Sequence, residues 1–154
     1  VPKNGKHRLL DKMGPDPFSP EANAKIMKGK AKNCRSPIKT FIMDAKRITG
    51  IGNIYACESL YHSGINPKRK AGRITLAEWD RLLSNIRTTL ESSISAGGTT
   101  LRDFFDPNGA KGYYAVQLSV YGKEGEPCPK CESPISRMIH SGRSTFYCKT
   151  CQPH

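Results

Sequence analysis

The chain has 154 residues, 36% of them apolar, which is enough for one domain with a modest core or for a domain with a small appendage. No apolar run reaches the roughly 20 residues of a membrane span, and the first ten residues lack the apolar stretch of a secretory signal, so we expect an intracellular protein. The formal net charge is +12, and residues 1–73 carry 16 Lys and Arg against 5 Asp and Glu. This asymmetry predicts a polyanion partner, although a merely solvated basic surface would look the same.

The first half of the chain predicts a linker and two helices. Residues 1–18, with several Gly and Pro, have the composition of a linker or loop. Ser19, followed by Pro at the first helical position, predicts a short helix through about Lys28. Ser36 and the next Pro predict a second helix that stops at Gly50. Apolar residues at helical spacing support it, namely Ile38, Phe41, Ile42, Ala45 and Ile48.

Two further helices follow. Asn53 is placed to cap a helix that ends at Gly64, a residue type favoured after the last turn. Thr75 and Glu78 have the spacing of a capping box before the longest helix, which the glycine pair at 97–98 terminates. Apolar residues at helical spacing form a stripe along this helix, which we expect to face the core. They are Leu76, Trp79, Leu82, Leu83, Ile86, Leu90 and Ile94.

The last part of the chain carries two cysteine pairs, each separated by two residues. Cys128 and Cys131 form the first pair, and Cys148 and Cys151 the second. This is the spacing of a four-cysteine zinc ribbon, because a tight knuckle lets both of its thiolates reach one tetrahedral Zn²⁺. Two disulfides are the alternative, which the lack of an export signal disfavours.

Other residues could in principle join this chemistry. His140 and His154 could each replace a sulfur, but four cysteines already complete the coordination sphere. Cys34 and Cys57 are left over, and we interpret both as small buried thiols rather than reactive ones.

The segment between the cysteine pairs predicts a β-hairpin. Residues 135–140 and 143–147 can pair as two strands around Ser141-Gly142, a two-residue turn. Arg143 would then lie at the tip, where its guanidinium could contact a phosphate or enter a groove, or could be a solvated surface group.

Four stretches of sequence resemble the C-terminal half of formamidopyrimidine-DNA glycosylases, whose architecture the endonuclease VIII glycosylases share. They read SPIKTFIMDAK at 36–46, GIGNIYACESLYHSGINP at 50–67, GGTTLRDFFDPNGAKGYYAVQLSVYGKEGEPC at 97–128, and RSTFYCKTCQ at 143–152. The Gly-Tyr-Tyr and YGKEGEPC stretches are more similar to the branch that acts on oxidised purines.

The resemblance implies a mainly α fold, a helix-two-turn-helix DNA-binding domain followed by a small β-hairpin zinc ribbon. We expect a linker at 1–18, the helical domain at 19–122 and the zinc finger at 123–154. The resemblance also implies phosphate contacts on duplex DNA by Lys39, Asn53 and Arg143. Glycines beside Asn53 let a backbone approach closely, and a helix start attracts an anion.

Family enzymes extrude the damaged base from the duplex before they act on it. The segment that resembles the loop closing over the flipped purine runs from residue 106 to 114. The candidate lesion-loop residues in it are Asp106, Asn108, Gly109, Lys111, Gly112, Tyr113 and Tyr114.

The family nucleophile is the amine of an N-terminal Pro, followed by Glu, on a separate β-sandwich domain. It attacks the sugar and a β,δ-elimination then cuts the strand. Here the chain begins Val1-Pro2-Lys3, so Pro2 has no amine to offer. We therefore expect the C-terminal portion of a glycosylase and AP lyase, with no catalytic residue of its own and no activity alone.

The expected partner is double-stranded DNA with oxidised bases, such as 8-oxoguanine and formamidopyrimidines, or with abasic sites. We expect Zn²⁺ as the cofactor, a monomer, no membrane association, and a cytoplasmic, nucleoid-associated location in a bacterium. The alternative is a stand-alone zinc-ribbon nucleic-acid-binding protein without enzymatic activity, for example one that binds RNA.

Overall fold

The protein is described by a computed structural model that covers residues 13–95, 118–140 and 142–154. Within these ranges a helical part is followed by a two-stranded antiparallel hairpin, the mainly α fold class that the sequence predicts. The elements are, in chain order, α1 (Ala24–Lys30), α2 (Ile38–Met43), α3 (Asn53–Ser63), a 3₁₀ turn (Ala71–Arg73), α4 (Leu76–Ser95), β1 (Ser136–His140) and β2 (Arg143–Tyr147).

The main core lies between the helices and is built on α4. Trp79 is fully buried, and its ring meets that of Phe41 edge to face at 5.6 Å between centroids. Leu82, Leu83 and Ile86 of the predicted stripe are buried with it, while Leu76 is 50% exposed because it stands at the first position of the helix. No helix in the described part of the chain has the length and apolar character needed to cross a bilayer.

The first two helices are shorter than predicted. Ser19 lies in a turn, and α1 starts only at Ala24, because the side chain of Asn23 accepts the backbone N–H of Ile26 and caps it. The second helix ends at Met43, not near Gly50. Asp44 accepts the backbone N–H of Lys46 through its carboxylate, a local hydrogen bond that competes with the helical pattern.

The last two helices begin largely as predicted and α3 ends as predicted, while the glycine pair predicted to end α4, at 97–98, lies outside the described residues. Thr75 and Glu78 form the reciprocal capping box, with Glu78 accepting the Thr75 N–H at 2.9 Å and donating its own N–H to the Thr75 hydroxyl at 3.1 Å. Gly64 ends α3 in the left-handed conformation, with φ of 71°. The N-cap of α3 is Gly52 and not Asn53, so the Asn53 side chain is available for another contact.

The hairpin has the predicted position, with β1 one residue shorter. His140 pairs with Arg143 at the turn and Ser136 with Tyr147 at the open end. Gly142 has φ of 78°, which explains a glycine in this two-residue turn. The hairpin packs on α3 through a second, smaller cluster of buried residues, Cys57, Tyr61, Val120, Cys128, Ile135, Phe146 and Cys148.

Candidate nucleic-acid interface and metal centre

The two cysteine pairs converge on one point at the open end of the hairpin. The Sγ atoms of Cys128, Cys131, Cys148 and Cys151 all lie within 4.8 Å of one another. Cys128 and Cys151 are 3.7 Å apart, and Cys131 and Cys148 are 3.4 Å apart, too far for a disulfide. Four thiolates bound at about 2.3 Å to a tetrahedral ion would have S···S edges of about 3.8 Å, so this donor set fits Zn²⁺.

The remaining cysteines and histidines lie outside this cluster. Cys57 is buried between α3 and the hairpin, and burial raises the pKa of its thiol, as expected for an unreactive group. Cys34 is half-buried and packs against the main core. His140 lies at the turn end of the hairpin and His154 lines a depression beside Lys68, so neither belongs to the four-cysteine group.

A helix residue reaches directly into the metal centre. The hydroxyl of Tyr61, on α3, lies 3.1 Å from the Sγ of Cys128, and both residues are buried. Burial, with the hydrogen bond to Cys128, raises the pKa of Tyr61, so the hydroxyl keeps its proton and would donate it to a Zn²⁺-bound thiolate of Cys128. Tyr61 thus ties the zinc centre to the helical domain, a contact that sequence reasoning missed.

We expect Tyr61→Phe to release zinc faster, because hydrogen bonds to metal ligands typically change metal affinity by about 10-fold or more. The measurement is the rate of zinc transfer to a chromogenic chelator. Tyr121→Phe is the matched control, since Tyr121 packs on Phe146 in the same region but makes no hydrogen bond to a cysteine among the described residues. Equal rates for the two variants and the parent chain would contradict the assignment.

Lys39, on α2, is directed at the hairpin. Its side chain is only 2% exposed, and its ammonium donates to the Thr145 hydroxyl at 2.5 Å and to the Ser144 carbonyl at 3.5 Å. Burial lowers the pKa of Lys39, and the nearby Arg143 acts in the same direction. An ammonium has three protons, so these contacts leave capacity for an anion.

Asn53, at the start of α3, reaches the same strand. Its amide donates to the Ser144 carbonyl at 2.9 Å, which leaves a second N–H proton on that nitrogen. Among the described residues no side chain caps α3, so the N–H groups of its first turn point outward from the start of the helix. A Cβ added at Gly50 or Gly52 would meet no atom within 4 Å, so the approach to this turn is open.

Arg143 is the exposed member of the group. It follows the turn directly and, with Lys39, lines a depression of about 310 Å³. His140 lines the same depression, and its Nε2 lies 3.4 Å from the Thr40 hydroxyl. Burial lowers the pKa of His140, and repulsion from Lys39 and Lys68 acts in the same direction. Asp44 also lines the depression but is paired with Arg47. The three residues assigned to DNA contact by resemblance therefore lie together around Ser144.

The candidate lesion loop, residues 106–114, lies outside the described residues, but the segment after it is firmly anchored. Glu58, buried on α3, accepts the backbone N–H groups of Ser119, Val120 and Tyr121 at 2.8–2.9 Å. Sequence reasoning missed this anchor. The sequence does contain a signal for it: Glu58 follows Ile54 by four residues, so this carboxylate shares a helix face with the buried residues Ile54 and Cys57.

Two family models match the chain. The model described as "Formamidopyrimidine-DNA glycosylase H2TH domain" matches residues 13–105, and "Zinc finger found in FPG and IleRS" matches residues 125–153. The second match and the four clustered sulfurs agree on a zinc-binding site.

Curated relatives have the same family name. The chain is 47% identical over 146 residues to the formamidopyrimidine-DNA glycosylase of Acidithiobacillus ferrooxidans and, over the same length, to that of Vibrio parahaemolyticus. These alignments cover 95% of this chain and 54% of each relative. The chain therefore spans about half the length of the curated relatives it matches.

Solved structures agree on the fold. A complex of Lactococcus lactis Fpg with DNA containing an abasic site matches with a TM-score of 0.86 and 28% identity, over 100% of this chain and 56% of that one. A complex of the same enzyme with DNA containing Fapy-dG matches with a TM-score of 0.85 and 27% identity, over the same shares. By its helical domain and its zinc finger, the chain belongs to the formamidopyrimidine-DNA glycosylase H2TH-domain family.

Proposed function

We propose that this chain is the damaged-DNA-binding portion of a base-excision repair glycosylase and AP lyase that acts on oxidised purines. The observation that carries the proposal is the convergence of Lys39, Asn53 and Arg143, from three separate elements, on the backbone around Ser144. Two cationic groups, an amide and open helix N–H groups form a surface suited to a DNA phosphate.

The zinc finger and the helical domain make this surface together. Arg143 belongs to the finger, whereas Lys39 and Asn53 belong to the helices and donate to the Ser144 carbonyl of β2 beside Arg143. A phosphate bound here would contact both parts, and we propose the boundary between them near residue 123. The zinc would act by fixing the hairpin, not by touching DNA.

The comparisons support the class of lesion. Solved relatives are complexes with DNA that contains an abasic site or Fapy-dG. We propose the same substrates here, with the segment 106–114 closing over the extruded base and Glu58 anchoring the chain on its C-terminal side. We further propose a monomer in the bacterial cytoplasm.

The substitutions that test the interface are Lys39→Ala, Asn53→Ala and Arg143→Ala. Each should weaken duplex binding with little regard to sequence, because phosphate contacts position a protein without reading bases. Loss of a phosphate-bound cation should also lower the log–log salt slope by about 1, whereas loss of the neutral Asn53 should leave the slope nearly unchanged. Fluorescence anisotropy at several salt concentrations measures both quantities.

Arg143 is the most informative of the three, because it is exposed and its removal leaves the interface between finger and helices intact. Lys149→Ala removes one exposed charge elsewhere in the finger and is the matched control. If the Arg143 variant has the same salt slope as the parent chain, Arg143 does not contact a phosphate. For the Lys39 variant, zinc content and urea unfolding should also be measured. These show whether weaker binding comes from a lost DNA contact or from a destabilised interface between the helices and the finger.

We also propose that these 154 residues, by themselves, bind DNA without cutting it. Covalent attack needs an unprotonated amine. Among the described lysines, Lys39 has a lowered pKa, but it is buried and bonded to Thr145. Borohydride trapping with abasic duplex should therefore give only a slow background adduct. An adduct formed as fast as by a complete family enzyme would contradict this.

A further inference from the structure

A second basic surface lies beside the site already described. Four exposed cations form it, and we call it the basic ledge: Arg35, Lys68, Lys70 and Arg73. It is built where the loop between α3 and α4 runs along the residues that precede α2. The backbone N–H of Ala71 donates to Ser36 at 2.8 Å, and that of Gly72 donates to Cys34 at 2.9 Å.

The positive charge of the ledge is uncompensated. The acidic residue next to it, Glu78, is already paired with Arg69, which is why Arg69 is not counted in the ledge. In residues 13–95, 118–140 and 142–154, no ion pair joins any of the four ledge cations to a carboxylate. The sequence contains no Asp or Glu between 59 and 77 or between 22 and 43.

The surface of the ledge is concave. Two depressions, of about 710 and 460 Å³, adjoin each other, and Lys70 and Arg73 line both. The first is also lined by Lys68, Arg69 and His154, and the second by Arg35 together with Asn33, Cys34 and Gly72. A row of separated cations along connected depressions fits an extended polyanion better than a small apolar ligand.

The ledge is held in place by a buried network. Asn66 accepts the backbone N–H of Lys68 at 2.9 Å and donates its amide to the carbonyl of Gln152, also at 2.9 Å. The Gln152 amide donates to the Ile65 carbonyl at 2.9 Å, and both Asn66 and Gln152 are buried. The loop therefore presents its cations with little backbone entropy left to lose on binding.

The ledge is continuous with the Lys39, Asn53 and Arg143 site. The backbone N–H of Lys39 donates to the carbonyl of Pro67 at 3.3 Å, so Lys68 directly follows a residue that is hydrogen-bonded to α2, and Lys68 also contributes to the lowered pKa of His140. His140 in turn lines the depression that Lys39 and Arg143 share. Lys68 thus connects the two positive surfaces.

We propose that the basic ledge binds the phosphodiester backbone of duplex DNA on one side of the nucleotide held at Lys39, Asn53 and Arg143, and so extends the footprint of the chain in one direction. This inference rests on the proposed function. It adds to it a second phosphate-binding surface that lies on one side of that nucleotide.

The experiment uses the triple variant Lys68→Gln, Lys70→Gln and Arg73→Gln. The control is Lys25→Gln, Lys30→Gln and Lys149→Gln, three exposed lysines that line neither depression of the ledge. Three duplexes carry an abasic-site analogue: a core of about 10 base pairs, and the same core extended by about 10 base pairs on either the 5′ or the 3′ side. Affinity and salt slope are measured for each.

If the ledge binds DNA, the parent chain should bind one of the two extended duplexes more tightly than the core, and with a steeper salt dependence. The ledge variant should lose that gain, with a slope lower by about 2 to 3, while its binding to the core changes little. The control variant should keep the gain. The inference would be overturned if the ledge and control variants lost the same affinity. It would also be overturned if the ledge variant lost as much affinity for the core duplex, or for single-stranded RNA, as for the extended duplex.

Failure of the proposed function would look different. In that case the parent chain would show no preference for the abasic duplex, and Arg143→Ala would have no effect on any of the three duplexes. If Arg143→Ala weakens binding to the core but the ledge variant behaves as the parent chain on both extensions, only the ledge is wrong.

Discussion

We expect removal of zinc to unfold the segment from Cys128 to His154 while the helices remain folded. An isolated two-stranded hairpin is marginally stable in water, and metal binding supplies on the order of 10–16 kcal/mol to small zinc modules. The helices have their own core around Trp79, which holds no metal ligand. Chelation should leave most of the helical circular dichroism and open the finger to trypsin.

Single substitutions can show that zinc is bound by the four clustered cysteines and not by any other thiol. Cys148→Ser should lose most of the bound zinc and expose Arg137 and Arg143 to cleavage, because Cys148 is a buried ligand. Cys34→Ser removes a thiol outside the cluster and should keep one equivalent of zinc. Collapse of the helical signal on chelation, or an intact finger without metal, would contradict the division of stability argued here.

The second large effect concerns Glu58. Glu58→Gln should destabilise the domain by on the order of 3 kcal/mol, because an amide N–H₂ would face backbone N–H groups that now share a carboxylate. Urea unfolding measures the loss, and amide exchange at Ser119–Tyr121 locates it. Glu91→Gln, an exposed change on α4, should stay within about 0.5 kcal/mol of the parent chain.

The substitution also tests how the lesion loop is held. If Glu58 anchors the chain that follows residue 114, Glu58→Gln should weaken the preference for damaged over intact duplex more than it weakens binding to intact duplex. A variant that keeps both its stability and this preference would show that the three hydrogen bonds have no role in the site.

The helical periodicity and the cysteine spacing predicted most of the fold. The capping box at Thr75 and Glu78, the burial of Trp79 and the four-cysteine cluster are all local or periodic signals, and each is confirmed. Helix boundaries were less accurate. Ser19 and Asn53 have good capping side chains, but Asn23 and Gly52 hold the cap positions, because the Ser19 backbone lies in a turn and the Asn53 amide donates to Ser144 of the hairpin.

The contacts between the two parts could not be predicted in this way. Lys39 and Thr145 are 106 residues apart, and Tyr61 and Cys128 are 67 apart. Neither composition nor periodicity encodes such a pairing, since the alternation of β2 only indicates that Thr145 and Tyr147 share a face. The family resemblance supplied Lys39, Asn53 and Arg143 as a set, and it is their convergence around Ser144 that supplies a physical reason for grouping them.

The most direct test of the account is a competition between nucleic acids for the zinc-loaded chain. Anisotropy titrations at one salt concentration would compare abasic duplex DNA, intact duplex DNA and RNA of the same length. The account predicts tightest binding to the abasic duplex, with that preference lost in the zinc-free chain. RNA binding as tight as that of the abasic duplex, or a preference that survives zinc removal, would contradict it.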